Sequence, residues 1–127
     1  MAKHPDVQRK VQAELNEKVG VGSIPKLSDR VKLPYTEATL CEVQRLATLV
    51  PLAVPHRAMD DTKLCGYDIP KGAIILPNIW AVHRDPKIWP LPYAFDPGNF
   101  YKLSGDQLEL RNTEYLIPFS IGTLISF

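Results

Sequence analysis

The stretch that decides the fold is residues 33–50, LPYTEATLCEVQRLATLV. Pro34 suits the first turn of a helix and Pro51 stands just beyond its end, so we predict a helix over residues 34–49. At about 100° per residue, one narrow face collects the polar or small side chains: Glu37, Cys41, Gln44 and Thr48. The rest of the surface is largely apolar, formed by Leu40, Val43, Leu46, Ala47, Leu49 and Val50. We therefore expect the helix to be mostly buried, through these apolar residues.

Glu42 and Arg45 stand three residues apart on this helix. On the helical wheel Glu42 falls between Leu46 and Leu49, where a carboxylate without a partner would be costly to bury. Arg45 lies near enough on the wheel to reach it and keeps donors free for another segment. The spacing leaves open an internal structural ion pair or a partly exposed one, and neither makes the pair catalytic.

The chain before this helix contains a second amphipathic pattern. Val7, Val11, Leu15 and Val19 recur every fourth residue, Pro5 suits the first turn, and Gly20 suits the position past the end. We predict a helix over residues 4–20.

The chain after Pro51 is rich in proline, which accounts for 12 of the 127 residues. Short β-like runs separated by turn residues predict two or three short strands within residues 54–77, and residues 78–86 predict one short helix. Residues 86–117 are expected to form an irregular meander and loop, with residues 101–115 polar and loop-like. The whole chain is then one α+β domain, mainly α, over residues 1–127.

The composition excludes several classes of protein. A net charge of +1 without a dense basic run argues against binding to nucleic acid. Cys41 and Cys65 have neither zinc-site nor disulfide-framework spacing, and we expect no signal peptide or membrane-spanning segment in these residues. No phosphate-binding or dinucleotide-binding glycine motif is present.

The histidines His4, His56 and His83 lack the spacing of a preassembled metal site. His56 follows the apolar segment VPLAVP and precedes Arg57, so this pair could hold an anionic group beside an apolar wall. The alternative, a strand-end pair that faces water, is the one that the residues alone favour.

Four motifs in a fixed order resemble a known family. They are EVQR on the buried helix, VPLAVPHRAMDDTKLCGYDIPKG, HRDPKIWPLPYAFDPGNF and finally PFSIG. Together they are similar to the C-terminal part of a haem-thiolate monooxygenase of the cytochrome P-450 family, especially the animal microsomal group. By this resemblance residues 4–20 correspond to helix J, residues 34–49 to helix K, and residues 118–127 to a truncated haem (heme) loop.

The resemblance also implies roles for individual residues. Glu42 and Arg45 match the E-x-x-R pair of the family, and Asn99 stands where a charged third partner is common, which weakens this structural lock. His56 matches a contact to a haem propionate. The segment of Val50, Leu52, Ala53 and Val54 resembles a lining of the substrate pocket, of which only some side chains would face a ligand.

The haem loop of the family runs F-x-x-G-x-R-x-C-x-G, and this chain matches it only in part. Phe119 and Gly122 agree, whereas Leu124 replaces the arginine and Ser126 replaces the cysteine that ligates iron. A serine hydroxyl is a poor substitute for an electron-donating thiolate. We therefore expect no catalytic residue and no metal ligand in this chain, and little activity from the chain alone.

The reaction implied by the resemblance is the haem-dependent hydroxylation of lipophilic substrates such as xenobiotics, fatty acids or steroids. The implied partner is NADPH–cytochrome reductase, and the implied location of the parent protein is the endoplasmic reticulum membrane. Met1 resembles a methionine inside a full-length member, so we expect a partial chain without the oxygen-activating helix or the membrane anchor. The alternative is a truncated or splice-variant remnant without catalysis that acts at most as a binding module.

Overall fold

Two helices of equal length form the framework of the chain, for which a computed structural model describes residues 2–105 and 107–119. Helix α1 runs Pro5–Lys18, helix α2 runs Pro34–Ala47, and a 3-10 helix at Leu27–Lys32 lies between them. Both α1 and α2 begin at a proline, where the missing N–H is not needed. The sequence predicted residues 4–20 and 34–49, so both helices end two residues earlier than expected.

Helix α1 packs against the beginning of α2. Val7 and Val11 form a small core with Tyr35. Glu14 of α1 accepts hydrogen bonds from the main-chain N–H groups of Tyr35 (2.9 Å) and Thr36 (2.7 Å). A carboxylate at this position satisfies free donors of the first turn of α2 and complements the helix dipole.

The prediction for the buried face of α2 was wrong. Leu40, Val43 and Leu49 are 49%, 41% and 80% exposed, although the helical wheel placed them in the buried arc. The buried positions of the helix are instead small, aromatic or charged: Tyr35, Ala38, Thr39, Cys41, Glu42 and Arg45. The second core explains this orientation, because Ala38 and Cys41 pack against Trp89 and Phe100 from the later irregular segment.

Four short strands follow α2, where two or three were predicted. Strand β1 (His56–Arg57) pairs antiparallel with β4 (Ile74–Ile75), and β2 (Thr62–Leu64) pairs antiparallel with β3 (Tyr67–Ile69). The short helix α3 covers Ile79–Val82, as the sequence predicted, and the Asn78 side chain caps it by accepting from the Ala81 N–H at 3.1 Å. These two separate two-stranded sheets and α3 are called here the β layer, which follows α2 in the chain.

The prediction that residues 101–115 form a loop was also wrong. Strands β5 (Tyr101–Ser104) and β6 (Gln107–Leu110) make an antiparallel hairpin in which Leu103 lies opposite Leu108. Gly105 in the turn has a φ of 61°, a conformation that glycine adopts without a steric penalty. Lys102 and Glu109 pair directly across the strands at 3.3 Å, so the polar residues read as a loop are the exposed side of a hairpin.

The segment between α3 and the hairpin is largely irregular, as its prolines predicted, and side-chain contacts hold it in place. Its described secondary structure is a 3-10 helix at Pro97–Asn99. Trp89 is fully buried, packs 5.1 Å from the ring of Phe100, and donates from its indole N–H to the carbonyl of Val82 (2.9 Å). None of the helices in the two described ranges is both long and apolar enough to cross a membrane.

Candidate functional site

The centre of the molecule is a buried ion pair on α2. Arg45 donates from Nε to Glu42 Oε2 and from Nη2 to Glu42 Oε1, both at 2.8 Å, and neither side chain is exposed. This two-point pairing matches the planar guanidinium to the carboxylate. Of the two alternatives that the spacing left open, the structure has the internal pair.

Arg45 also reaches the irregular segment that follows α3. Nη1 donates to the carbonyl oxygens of His83 (2.8 Å) and Pro92 (2.7 Å), and Nη2 donates to that of Ala94 (3.1 Å). With the two bonds to Glu42, all five N–H groups of the guanidinium have an acceptor. The cation also lies 5.1 Å from the centre of the Trp89 ring. A lysine could not make this set of contacts, because it has three donors on a single atom.

Glu42 connects the same helix to the 3-10 helix that precedes the hairpin. Its Oε1 accepts from the main-chain N–H of Asp96 (2.9 Å) and from Asn99 Nδ2 (3.2 Å). The Asn99 carbonyl in turn accepts from Asn112 Nδ2 at 2.9 Å. The structure therefore brings Glu42, Arg45 and Asn99 together, and no buried side-chain nitrogen or oxygen in the described part of the chain lacks a partner.

His56 and the apolar segment before it lie at the edge of the β layer. His56 is half-buried and pairs with Ile75 across β1 and β4. Leu52 and Val54 are 52% and 63% exposed, whereas Ala53 is buried and donates its N–H to the carbonyl of Pro77 (3.1 Å). Ala53 is therefore turned away from any ligand on this surface, and Val50 is half-buried. The segment can present Leu52 and Val54 to an apolar ligand, with His56 nearby along the chain.

The remaining residues that the sequence assigned to a site belong to the predicted haem loop. Phe119 is 71% exposed, and Gly122, Leu124 and Ser126 lie outside the described residues. Within residues 2–105 and 107–119, no group of three or more His, Cys, Asp or Glu side chains could hold a metal ion.

Neither cysteine has the surroundings of a metal-ligating thiolate. Cys41 is buried, and this burial, with the nearby carboxylate of Glu37, raises the pKa of its thiol to about 11. Cys65 is exposed, at the turn between β2 and β3. Among the described residues, His56 could donate to an acidic group and Leu52 and Val54 could contact an apolar one, whereas the thiol of Cys41 carries its proton near neutral pH.

Sequence reasoning missed a second buried cluster, around His83. This side chain is fully buried, accepts from the Ile117 N–H through Nε2 (3.1 Å) and lies 3.3 Å from Thr48 Oγ1 through Nδ1. Burial, and the cations Arg45 and Arg84, lower the pKa of His83 to about 4. No spacing signal marks this histidine, because its partners lie more than 30 residues away in sequence.

Comparisons with known proteins agree with the resemblance read from the motifs. The family model for cytochrome P-450 matches residues 1–124. The chain is 51% identical over 122 residues to human (Homo sapiens) cytochrome P-450 2U1. The matched residues make up 96% of this chain and 22% of that protein. It is 44% identical over 119 residues to the steroid 17-alpha-hydroxylase/17,20 lyase of Oryzias latipes, covering 94% of this chain and 23% of that protein.

A solved structure is similar as well. A zebra fish cytochrome P-450, in a structure with abiraterone, superposes with a TM-score of 0.73 at 51% sequence identity, covering 77% of this chain and 24% of that one. This likeness shows that the mixed helices and short strands are part of the fold of a cytochrome P-450. The chain belongs to the cytochrome P-450 family. It spans less than a quarter of the length of the curated relatives named above.

Proposed function

We propose that this chain is a portion of a microsomal cytochrome P-450 monooxygenase and serves as the scaffold beside the haem. The observation that carries the proposal is the buried pair of Glu42 and Arg45, which joins α2 to the segment from His83 to Asn99. Such a joint holds the segment from His83 to Asn99 against α2. Neither residue transfers a proton in this role, because every donor and acceptor of the pair is used structurally.

His56 is proposed to hold an acidic substituent of haem, while Leu52 and Val54 contact the apolar ring or a lipophilic substrate. Their exposure supports this assignment, since these side chains can be covered by a ligand without rearranging the core. Haem, when bound, supplies the oxidising chemistry of the family. Phe119 and Gly122 are proposed to belong to the loop that contacts it.

The substrates, partner and location of the whole protein follow the family in this proposal. Steroids are one proposed substrate class, because one relative is a steroid hydroxylase by name. Fatty acids and xenobiotics are proposed from the resemblance to the family alone. NADPH–cytochrome reductase is the proposed electron donor, and the endoplasmic reticulum membrane is the proposed location of the parent protein.

A second candidate is a chain without catalysis that acts at most as a binding module. It is favoured by Ser126, which by the resemblance of the motifs corresponds to the iron-ligating cysteine of the family. The protonated thiol of the buried Cys41 supports the same candidate, because it gives the iron no replacement thiolate.

The two candidates are separated by titrating the purified 127-residue chain with ferric haem and recording its Soret absorbance. The scaffold proposal predicts saturable binding that weakens about tenfold or more in His56→Ala, the loss expected for one charge-assisted hydrogen bond. Lys63→Ala, an exposed change on β2, is the matched control and should leave the midpoint unchanged. Absence of saturable binding would contradict the scaffold proposal and leave the second candidate.

Addition of dithionite and carbon monoxide then reports on the iron ligand. Without a cysteine at position 126, we expect no red-shifted thiolate-type band. Such a band would mean that Cys41 or Cys65 reaches the iron, which would contradict the second candidate.

A further inference from the structure

His83 has a single possible hydrogen-bonding arrangement in its neutral form. Its Nε2 lies 3.1 Å from the main-chain nitrogen of Ile117. A main-chain N–H can only donate, so Nε2 must present its lone pair and the ring proton must reside on Nδ1. Nδ1 faces Thr48 Oγ1 at 3.3 Å, and that hydroxyl oxygen can accept from it.

Thr48 completes the arrangement because its hydroxyl proton has its own acceptor. Oγ1 donates to the Arg45 carbonyl at 2.6 Å and accepts from Arg84 Nη1 at 2.9 Å. Arg84 also donates to the carbonyl of Leu46 at 2.8 Å, near the C-terminal end of α2. Every hydrogen bond in the cluster therefore has a single direction, and the cluster connects the end of α2 to Ile117.

The charges around His83 oppose its protonation. Arg45 of α2 and the neighbouring Arg84 are the cations that act on it, and the carboxylate of Glu42 is already paired with Arg45. On the facing segment, residues 113–119, the ionisable side chains are Glu114 and Tyr115, and both are exposed. A second ring proton on Nε2 would also point at the Ile117 N–H, so it would break the bond that holds this segment.

We propose that His83 is the positioning residue for the segment that leads to Phe119: as a neutral acceptor it fixes the main chain at Ile117 and couples it to the end of α2. The identity of that segment as the start of a haem loop rests on the proposed function above. The positioning itself rests on the contacts of the His83 ring. Acidification should release Ile117 while α1 remains packed.

The first test uses NMR on the 127-residue chain with ¹⁵N-labelled histidine. It records the long-range correlations between the ring nitrogens and the carbon-bound ring protons of the three imidazoles. The proposal predicts that His83 carries its proton on Nδ1 and stays neutral from pH 7 to below pH 5, whereas a histidine without these contacts titrates near 6.5. A proton on Nε2, or titration of His83 near 6.5, would overturn the proposal.

The second test measures hydrogen exchange of the Ile117 amide, a readout that a purely space-filling role of His83 would not move. His83→Phe keeps the volume of a ring but removes the acceptor, so Ile117 should lose protection tenfold or more while Val11 in α1 keeps its own. His56→Phe, the matched control outside the cluster, should leave Ile117 unchanged. Unaltered protection of Ile117 in His83→Phe would overturn the proposal.

If His83→Phe does not fold, the wild-type protein still provides a test. Its Ile117 protection factor, corrected for the intrinsic pH dependence of exchange, should fall relative to that of Val11 between pH 6 and pH 4. A constant ratio would overturn the proposal. None of these tests contains haem, so a failed haem titration would refute the proposed function while leaving the role of His83 to be decided by Ile117.

Discussion

Arg45 and Glu42 meet through two parallel hydrogen bonds of 2.8 Å with both side chains excluded from solvent. Removing two charges from water is costly, and their attraction repays this cost only when the remaining donors and acceptors are also satisfied. Here the carbonyls of the irregular segment take the other three donors of Arg45. The pair is therefore a joint between α2 and that segment, and its contribution depends on the geometry of the guanidinium.

Arg45→Lys should destabilise the chain although it keeps the charge. The ammonium group cannot make two parallel bonds to Glu42 and also reach three carbonyls, so buried acceptors lose their partners. We expect a loss of about 2–4 kcal/mol in the free energy of unfolding, measured by urea denaturation. Arg30→Lys is the matched control, because Arg30 pairs with Glu37 from an exposed position and should change stability by less than about 0.5 kcal/mol. Equal effects of the two changes would contradict this account.

Asn99 offers a test of the hydrogen bond to Glu42. Asn99→Ala removes the donor 3.2 Å from Glu42 Oε1 and should cost about 1 kcal/mol. Asn99→Asp has nearly the same shape but places a second carboxylate oxygen against Glu42, so it should cost more than Asn99→Ala at pH 7. Thermal or urea unfolding of the two variants gives the comparison. A more stable Asp variant would show that Asn99 does not donate to Glu42.

The stability of the chain should depend on pH through His83. Its folded pKa, about 4, lies below the unfolded value near 6.5, so the unfolded state binds more protons between these values. The contribution of neutral His83 is fully present above pH 6.5 and is lost as pH falls towards 4, by roughly 1–3 kcal/mol. Urea unfolding from pH 7 to pH 4 should therefore show a smaller decrease in His83→Phe than in the wild type. Parallel curves for the two proteins would contradict the assignment.

The two thiols should differ in reactivity. Cys41 is buried with a pKa of about 11, so only about one molecule in a thousand carries its thiolate at pH 8. Cys65 is exposed. Alkylation by iodoacetamide at pH 8, followed by peptide mass spectrometry, should label Cys65 first and Cys41 only after urea is added. Labelling of Cys41 in the folded chain at the rate of Cys65 would contradict its burial.

Local signals in the sequence predicted α1 well, since Pro5 and the spacing of Val7 and Val11 are properties of one helix. The same rules placed Leu40 and Val43 in the interior, and they failed because the orientation of α2 is set by distant partners, Trp89 above all. Hydrophobicity alone does not reveal that a charged pair can be the most buried part of a helix.

The hairpin from Tyr101 to Leu110 was missed for a related reason. Two of its four cross-strand pairs join polar residues, Lys102 with Glu109 and Ser104 with Gln107, and these residues look like a loop until the register is known. In the candidate site, the helical wheel placed the carboxylate of Glu42 in the apolar arc, where it requires a partner. Asn99 came only from the resemblance to the family, and His83 came only from the structure, because its contacts are made with a main-chain N–H and a distant hydroxyl.

The central claim is that Glu42 and Arg45 stabilise the fold as a coupled pair, and a double-mutant cycle tests it most directly. Glu42→Ala, Arg45→Ala and the double variant are compared with the wild type by urea unfolding at pH 7. Because either single change leaves a buried charge without its partner, the account predicts that the double variant loses less than the sum of the two losses, by at least about 2 kcal/mol. Additive losses, with a coupling energy near zero, would contradict it.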